Sequence, residues 1–501
     1  MQASPQQQLV YDWVLNGSGN AYIPAVAGAG KTTTLINALR LMKGSVAFAA
    51  YNKKIADEIQ SRLASLGIPA GGAIRAGTFH SFGYSAWRRV APEVKLSEHK
   101  TDRLLREARV PETFHPFTKQ AVSLAKQRAI GVLSRFDDAV AWDDLVAHFE
   151  LEDMLSEGEA KPTDLDAMVT EAIYHSQKVL KLAAERCNEA IDFDDMIWAP
   201  LVHNTKVWMN QWVLVDEAQD TNPARRALAK KMLLPGGRMV AVGDPHQAIY
   251  GFTGADNDSL STIAREFGCV ELPLTVSFRC PRAVVNHARN WVSHIQPAPE
   301  ANEGLVTEVS AVEFEKITPR ATDVVLCRNT KPLVELAYGY LRKGVPCHVE
   351  GRELGKGLLV LAGKWKVRRL DVLSEKLDDY LERETQRLMA KGQEAKVGML
   401  ADKVETLKVI MSGLPGTATL VDLSQRINSL FQDSAGQKVL SLTLSTIHKS
   451  KGREWDRVYL YGRNVYMPSK YARQDWQLEQ ENNLCYVAVT RAKQELVEVQ
   501  V

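Results

Sequence analysis

Over two parts of the chain, short apolar runs alternate with segments whose apolar residues recur every three or four positions. That alternation predicts parallel sheets covered by helices. In the first part the expected strands are Ser45–Ala49, Trp212–Val215 and Met239–Val242. In the last part they are Asp323–Cys327, Leu440–Leu444, Arg457–Tyr461 and Leu496–Gln500. Between Trp87 and Cys187 the pattern changes. Ala121, Leu124, Ala125 and Ala129 recur at helical spacing and β-branched runs are scarce, which predicts a helical insertion. A second helical stretch is expected between about Leu354 and Gln437, where Leu370, Leu373, Leu377, Tyr380, Leu381 and Leu388 share one stripe. No repeat of solenoid period and no long low-complexity tract interrupts this plan.

Composition narrows the class further. The 501 residues suggest roughly three or four domains. Hydrophobic residues at 45% and charged residues at 24% describe an ordinary globular protein, which excludes a collagenous or mostly disordered chain. No uninterrupted apolar run reaches the roughly 18 residues that span a bilayer, and no secretory signal is read at the N-terminus. No membrane partner is expected. The six cysteines are scattered without a C-x-x-C pair, which argues against a zinc site or an iron–sulfur cluster. Buried free thiols in a reducing cytoplasm are the expectation. The 62 Lys and Arg against 60 Asp and Glu leave a formal charge of +2. Any nucleic-acid contact must therefore come from local patches rather than a global field.

The most specific chemistry is at Ala25-Val26-Ala27-Gly28-Ala29-Gly30-Lys31-Thr32. It follows an apolar segment, Ala21–Pro24, and precedes a helix-prone run, Thr33–Met42. Strand, loop and helix in that order are the context of a phosphate loop. Glycines let backbone N–H groups turn inward around phosphate oxygens. Lys31 supplies a point charge for the β- and γ-phosphates, and the Thr32 hydroxyl can reach Mg²⁺. The helix N-terminus adds about half a positive charge. Two details depart from the ideal: Ala25 stands where the general pattern has glycine, and Pro24 sits awkwardly at the end of a strand.

Trp212–Val215 ends in Asp216-Glu217-Ala218-Gln219-Asp220. An acidic pair alone reads as a solvated turn. At the C-terminal end of a parallel strand it points into the crevice where ligands bind. Asp216 would hold Mg²⁺ through a water, and Glu217 would orient and deprotonate an attacking water. A third cluster follows another apolar strand, Val242-Gly243-Asp244-Pro245-His246-Gln247-Ala248-Ile249-Tyr250-Gly251-Phe252. Gln247 can serve a γ-phosphate as donor and acceptor. Tyr250 and Phe252, taken alone, read as core aromatics. The run Lys364-Trp365-Lys366-Val367-Arg368-Arg369 reads equally as a duplex or partner contact and as a solvated helix face.

With these residues in place, the chain resembles the UvrD/Rep-type superfamily 1 DNA helicases over nearly its whole length. Ser4-Pro5-Gln6-Gln7 resembles the family's adenine-reading motif, with Gln7 as the reader. Thr78-Phe79-His80-Ser81 resembles an element that touches DNA, and Asp192-Phe193-Asp194-Asp195-Met196-Ile197 the segment before the acidic strand. Asp216–Asp220 and Gly243–Gly254 match the next two motifs, and Ser277-Phe278-Arg279-Cys280-Pro281 the one that opens a second core. Ser445–Trp455 and Tyr486–Ala492 match the last two. Ala50-Tyr51-Asn52-Lys53-Lys54 is similar to the F-box DNA helicase branch, although no F-box is apparent.

The resemblance implies an α/β fold of two RecA-like, parallel-sheet P-loop domains with ATP between them, each with a mainly helical insertion. Residues 1–86 and 188–274 would form the first core and 87–187 its insertion. Residues 275–353 and 438–501 would form the second core, with a short insertion at 354–437. The implied nucleotide contacts are Gln7, Ala25, Val26, Ala27, Gly28, Ala29, Gly30, Lys31, Thr32, Thr33, Phe278 and Glu454, with Phe278 stacked on adenine. Lys31, Glu217, Gln247, Arg279 and Arg491 would carry hydrolysis, the two arginines as fingers. Thr32 and Asp216 would hold Mg²⁺. Tyr51, Asn52, Lys53, His80, Tyr250, Phe252, Thr446 and His448 would contact DNA.

Each role has a plainer alternative: a salt-bridging arginine for Arg279 and Arg491, a partly buried structural histidine for His80 and His448. Two departures from the family pattern bear on the DNA path. Ala50 stands where an aromatic is usual, and Thr253 where an arginine is common. The implied function is an ATP-dependent translocase and helicase on single-stranded DNA and single/double-strand junctions, running 3′ to 5′. It is expected inside the cell as a monomer, with any protein partners on the helical insertions. A translocase that mainly strips proteins from DNA, and a nucleotide-dependent DNA-binding regulator, are the alternatives.

Overall fold

A computed structural model of the chain describes residues 3–50, 52–65, 67, 72–149, 151–155, 162–249, 258–389, 394–432, 441–472 and 474–501. Two units emerge, Met1–Ala25 with Gly30–Leu274, and Val26–Ala29 with Thr275–Val501.

The first unit is built on six strands: β1 (Asn20–Pro24), β2 (Val46–Ala50), β3 (Ile74–Thr78), β4 (Asn210–Val215), β5 (Leu233–Gly243) and β6 (Cys269–Glu271). Their order is β3-β2-β4-β5-β1-β6, and every pairing is parallel. The central strands read as near-continuous apolar runs because both faces are covered. All five residues of β2 are buried, and in β4 only Gln211 is exposed. Val213, Val215, Met239 and Ala241 share a core with Leu228 and Ile263 from the covering helices Pro223–Lys231 and Ser259–Glu266. The strands expected from the apolar pattern fall in β2, β4 and β5, except that Ser45 lies one residue ahead of β2. The edge strands β3 and β6 escaped that pattern because they are only partly buried.

The opening helix, Pro5–Asn16, is locked at both ends. Ser4 Oγ accepts the Gln7 N–H at 3.2 Å while Gln7 Oε1 accepts the Ser4 N–H at 3.0 Å, a reciprocal cap. At the other end the Arg238 guanidinium lies 4.0 Å from the Trp13 ring and 4.3 Å from the Trp212 ring. It donates to the Trp13, Val14 and Gly19 carbonyls, each at 3.1 Å. Carbonyls at and just beyond the helix end thereby gain a cation as donor.

The stretch after Trp87 is helical, with Lys100–Glu107, His115–Gln127, Ala139–His148 and Pro162–Glu185. These helices surround their own core, including Trp87, Phe117, Trp142, Val179 and Trp198. Ala121, Leu124 and Ala125 point into it, as their spacing predicts. Beneath the same core runs a buried ionic network. Lys100 Nζ meets Asp195 at 2.6 Å, and Lys126 Nζ meets Asp192 at 2.5 Å and Asp195 at 2.8 Å. Opposite charges this close repay part of the cost of burying them.

The second unit carries β7 (Leu305–Ser310), β8 (Val324–Cys327), β9 (Cys347–Glu350), β10 (Phe431–Gln432), β11 (Leu442–Thr446), β12 (Trp455–Tyr461) and β13 (Ala492–Gln500). The order is β7-β13-β12-β8-β11-β9-β10, again all parallel. Helices Leu370–Met389, Glu394–Ser412 and Leu420–Leu430 share this sheet's core: Leu373, Leu377, Leu407, Ile410 and Ile427 pack with Val325 and Leu444. The basic run Lys364–Arg369 does not lie on a helix face. It joins helix Arg352–Gly363 to Leu370–Met389, with Lys364 Nζ 3.8 Å above the Tyr380 ring and Trp365 edge-on to it at 5.5 Å. Of the six cysteines, Cys187, Cys280, Cys327 and Cys485 are buried as expected, but Cys269 and Cys347 are only partly so. No helix among the described residues is long and apolar enough to cross a membrane.

Candidate nucleotide and nucleic-acid site

The ends of β1, β5 and β4 lie side by side in the first sheet, and each releases one motif. From β1 comes the phosphate loop. The Ala25 N–H donates to the Gly243 carbonyl at 2.8 Å, so Pro24 ends the strand without breaking the pairing. Gly28 and Gly30 have φ of +75° and +77°, where a side chain is strained. Val26, Ala27 and Ala29 are buried. Helix Lys31–Leu39 starts directly after Gly30, so its first N–H groups open onto the loop.

From β4 comes the acidic pair. Asp216 is 1% exposed and its Oδ1 accepts the Glu217 N–H at 2.9 Å. Thr32 Oγ1 lies 3.5 Å from Asp216 Oδ2. Glu217 adopts φ 50° and ψ 46°, a left-handed conformation that costs a glutamate roughly 1–3 kcal/mol. Its Oε2 lies 3.2 Å from Lys31 Nζ. Burial disfavours the charge on Lys31, but Glu217, Asp244 and Asp216 outweigh it and hold the ammonium above the ordinary lysine range. Burial, and then the neighbouring Glu217, push the Asp216 carboxyl up to about 7. A carboxylate so costly to ionise unaided, beside a threonine hydroxyl, is a donor set that suits a hard divalent cation.

From β5 comes Asp244, wholly buried, with its carboxyl raised chiefly by burial. It caps the turn Pro245–Gln247 by accepting the His246 N–H at 3.1 Å. It also accepts from Gln247 Nε2 at 2.7 Å. Asp244 anchors Gln247 through this turn, a role that its place in the motif does not reveal. Gln7 is drawn to the same place, its Nε2 donating to Thr34 Oγ1 at 3.0 Å. Thr33 is exposed on the same helix.

The residues expected on a DNA path fall on separate elements. Asn52 and Lys53 are exposed at the start of helix Lys53–Ser65, where Asn52 Oδ1 accepts the Ile55 N–H at 2.9 Å. His80 opens helix Phe79–Trp87, and its ring lies 4.1 Å from that of Phe193, centroid to centroid. Phe193 is 60% exposed. Its neighbours are pinned by the first unit's helical stretch: Asp192 and Asp195 by the buried lysines, and Asp194 by Ser123 Oγ at 2.5 Å. Phe193 is not among the DNA contacts that the family resemblance implies. The signal in the sequence is one aromatic among three aspartates. Tyr51, Tyr250 and Phe252 lie outside the described residues.

In the second unit, Phe278 is 44% exposed and Arg279 is ion-paired with Glu454. Arg491 is wholly buried, donating to the Val487 and Arg453 carbonyls at 2.9 and 3.0 Å and to Thr490 Oγ1 at 3.2 Å. Thr446 immediately precedes helix Ile447–Ser450, which carries His448. Burial, helped by Arg225, lowers His80 to about 3; burial, then Arg328 and Lys451, lowers His448 to about 3. Both imidazoles are neutral at physiological pH, so each offers one N–H and no charge.

A phosphate loop, an acidic strand end and an adjacent glutamine on a parallel sheet define a P-loop nucleoside triphosphatase of the RecA-like kind. The family model for the UvrD/REP helicase N-terminal domain matches residues 6–268, and that for the UvrD-like helicase C-terminal domain matches residues 364–499. The chain belongs to the UvrD/Rep-type superfamily 1 helicases. It is 23% identical to F-box DNA helicase protein 1 of Schizosaccharomyces pombe, over 98% of this chain and 57% of that protein. It is 22% identical to the ATP-dependent DNA helicase Rep of Salmonella typhimurium, over 99% of this chain and 90% of that one. With the ATP-dependent DNA helicase UvrD2 of Mycobacterium tuberculosis the identity is 25%, over 96% and 76% respectively. The chain thus spans little more than half the length of the first of these relatives.

Proposed function

We propose that this protein is an ATP-driven motor on single-stranded DNA that moves 3′ to 5′ and separates strands at junctions. The observation that carries the reading is the convergence of Lys31, Glu217, Asp216 and Asp244 on the phosphate loop. Lys31 neutralises the β- and γ-phosphates, and Glu217 takes the proton from the attacking water. Thr32 and Asp216 would hold Mg²⁺, which when bound neutralises phosphate charge. Gln247 senses the γ-phosphate, while Gln7 and Phe278 receive the adenine and Glu454 the ribose or the γ-phosphate side. Arg279 and Arg491 are assigned as arginine fingers on the family resemblance. We also propose the domain plan with cores at 1–86 with 188–274 and 275–353 with 438–501, and insertions at 87–187 and 354–437. The motor acts inside the cell, where its DNA is, and as a monomer.

Asn52, Lys53, His80, Thr446 and His448 contact the strand's backbone, and Phe193 offers a face on which any base can stack. Base–aromatic stacking is worth about 1–3 kcal/mol, or roughly 5- to 150-fold in affinity. ATP hydrolysis titrated with single-stranded DNA tests the reading. Turnover should rise steeply with strand, and Phe193→Ala should shift the half-saturating concentration upward by that factor. Strand-independent turnover would refute a DNA motor. The strand affinity contributed by His80 and His448 should not change between pH 6 and 8, because both stay neutral there. Their depressed pKa values have a stability consequence at lower pH. The unfolded chain takes up these protons below about 6.5, and the folded one only near 3, so stability is lost as pH falls through that window.

A further inference from the structure

Glu217 is held by a second side chain besides Lys31. Gln219, 1% exposed, donates from Nε2 to Glu217 Oε2 at 2.6 Å and toward Asp220 Oδ2 at 3.4 Å. Its Oε1 accepts the Asp244 N–H at 3.0 Å. This leaves no ambiguity about which end of the carboxamide is which. Only the oxygen can accept from a backbone N–H, and only the NH₂ can face two carboxylates. Space has been made for it at Gly243, where a Cβ would meet Gln219 Oε1 at 2.4 Å and the Gln219 backbone nitrogen at 3.0 Å. One amide therefore spans the ends of β4 and β5. It joins the carboxylate next to Lys31 to the residue that anchors Gln247 at 2.7 Å.

We propose that Gln219 is a positioning residue that keeps Glu217 aimed when Lys31 turns to the phosphates, and that it links that aim to the Asp244–Gln247 turn. The proposal rests on the reading of Glu217 as the base. Lys31 and Gln219 both donate to the same oxygen, Oε2. An incoming triphosphate draws Lys31 off that oxygen, while Gln219 has no phosphate to leave for. Three hydrogen bonds, from Gln247 to Asp244, from the Asp244 N–H to Gln219 and from Gln219 to Glu217, connect the turn to the base.

Gln219→Ala, Gln219→Glu, Gly243→Ala and Glu217→Gln, each in the full chain, separate the possibilities. In Gln219→Ala the strand-stimulated kcat should fall about 10- to 100-fold, the usual cost of a misplaced reacting group. KM for ATP, the Kd of a fluorescent ATP analogue and the thermal midpoint should stay near wild type. Gln219→Glu keeps the shape but sets a third carboxyl against Glu217 and Asp220, which either repels them or takes up a proton, so it should be at least as impaired. Gly243→Ala, which displaces the amide from the other side, should copy the kcat loss and keeps the question answerable if Gln219→Ala folds poorly. Near-wild-type kcat in Gln219→Glu, or a loss of analogue affinity that parallels the loss of kcat, would overturn the positioning role. Glu217→Gln is the separate control: if it still hydrolyses ATP, the assignment of the base has failed, whatever the Gln219 variants do.

Discussion

Glu217→Gln should lower ATP turnover by about two to four orders of magnitude, the usual contribution of a general base, while nucleotide remains bound. The substitution is isosteric, so the left-handed turn at residue 217 and its hydrogen bond to Asp216 are retained. What is lost is the site for a proton, together with the negative end of the 3.2 Å pair to Lys31. The freed ammonium then serves the phosphates alone, so affinity for an ATP analogue should hold or rise. Steady-state hydrolysis set beside equilibrium binding reads both effects. Turnover within about threefold of wild type would remove Glu217 from the chemistry.

Lys31→Ala should act in the opposite sense on binding. The phosphates lose their point charge, and Glu217, Asp216 and Asp244 lose the cation they share. We expect turnover to fall by at least about 10²–10³, the cost of deleting one electrostatic stabiliser, with analogue affinity falling alongside. Stability should fall too, in a pH-dependent way. Burial holds the Asp216 carboxyl up at about 7 even with Lys31 present, well above the usual carboxylate range. A raised carboxyl keeps its proton in the folded state while the unfolded chain gives it up, so stability declines as pH rises from about 4 through 7. Without Lys31 that decline extends to higher pH. The thermal midpoint of Lys31→Ala should therefore lie further below wild type at pH 8 than at pH 6. An equal deficit at both would mean that Lys31 does not compensate these carboxylates.

Much of this site was readable along the chain because its parts are contiguous. The phosphate loop lies between an apolar strand and a helix, and the acidic pair ends a run buried on both faces. Strands β2, β4 and β5 announced themselves for the same reason: a covered parallel strand has no polar face. Edge strands did not. Leu305–Ser310 has only exposed and half-buried positions, and Ile74–Thr78 is mostly half-buried. Gln219 was hidden for another reason. Its partner Asp244 is 25 residues away, and the bond depends on the lateral order β4-β5 and on the absence of a side chain at Gly243. The left-handed backbone of Glu217 likewise has no signature in residue type. The platform role proposed for Phe193 rests on the three aspartates around it being tied down by Lys100, Lys126 and Ser123, a set of tertiary contacts with no sequence signature.

The motor claim is tested most directly by strand separation on two duplexes of identical sequence, one with a 3′ and one with a 5′ single-stranded overhang. The account predicts ATP-dependent separation from the 3′ overhang, little from the 5′ overhang, and none from either when Glu217→Gln replaces the wild type. Separation of neither duplex in the presence of ATP, or a preference for the 5′ overhang, would contradict it.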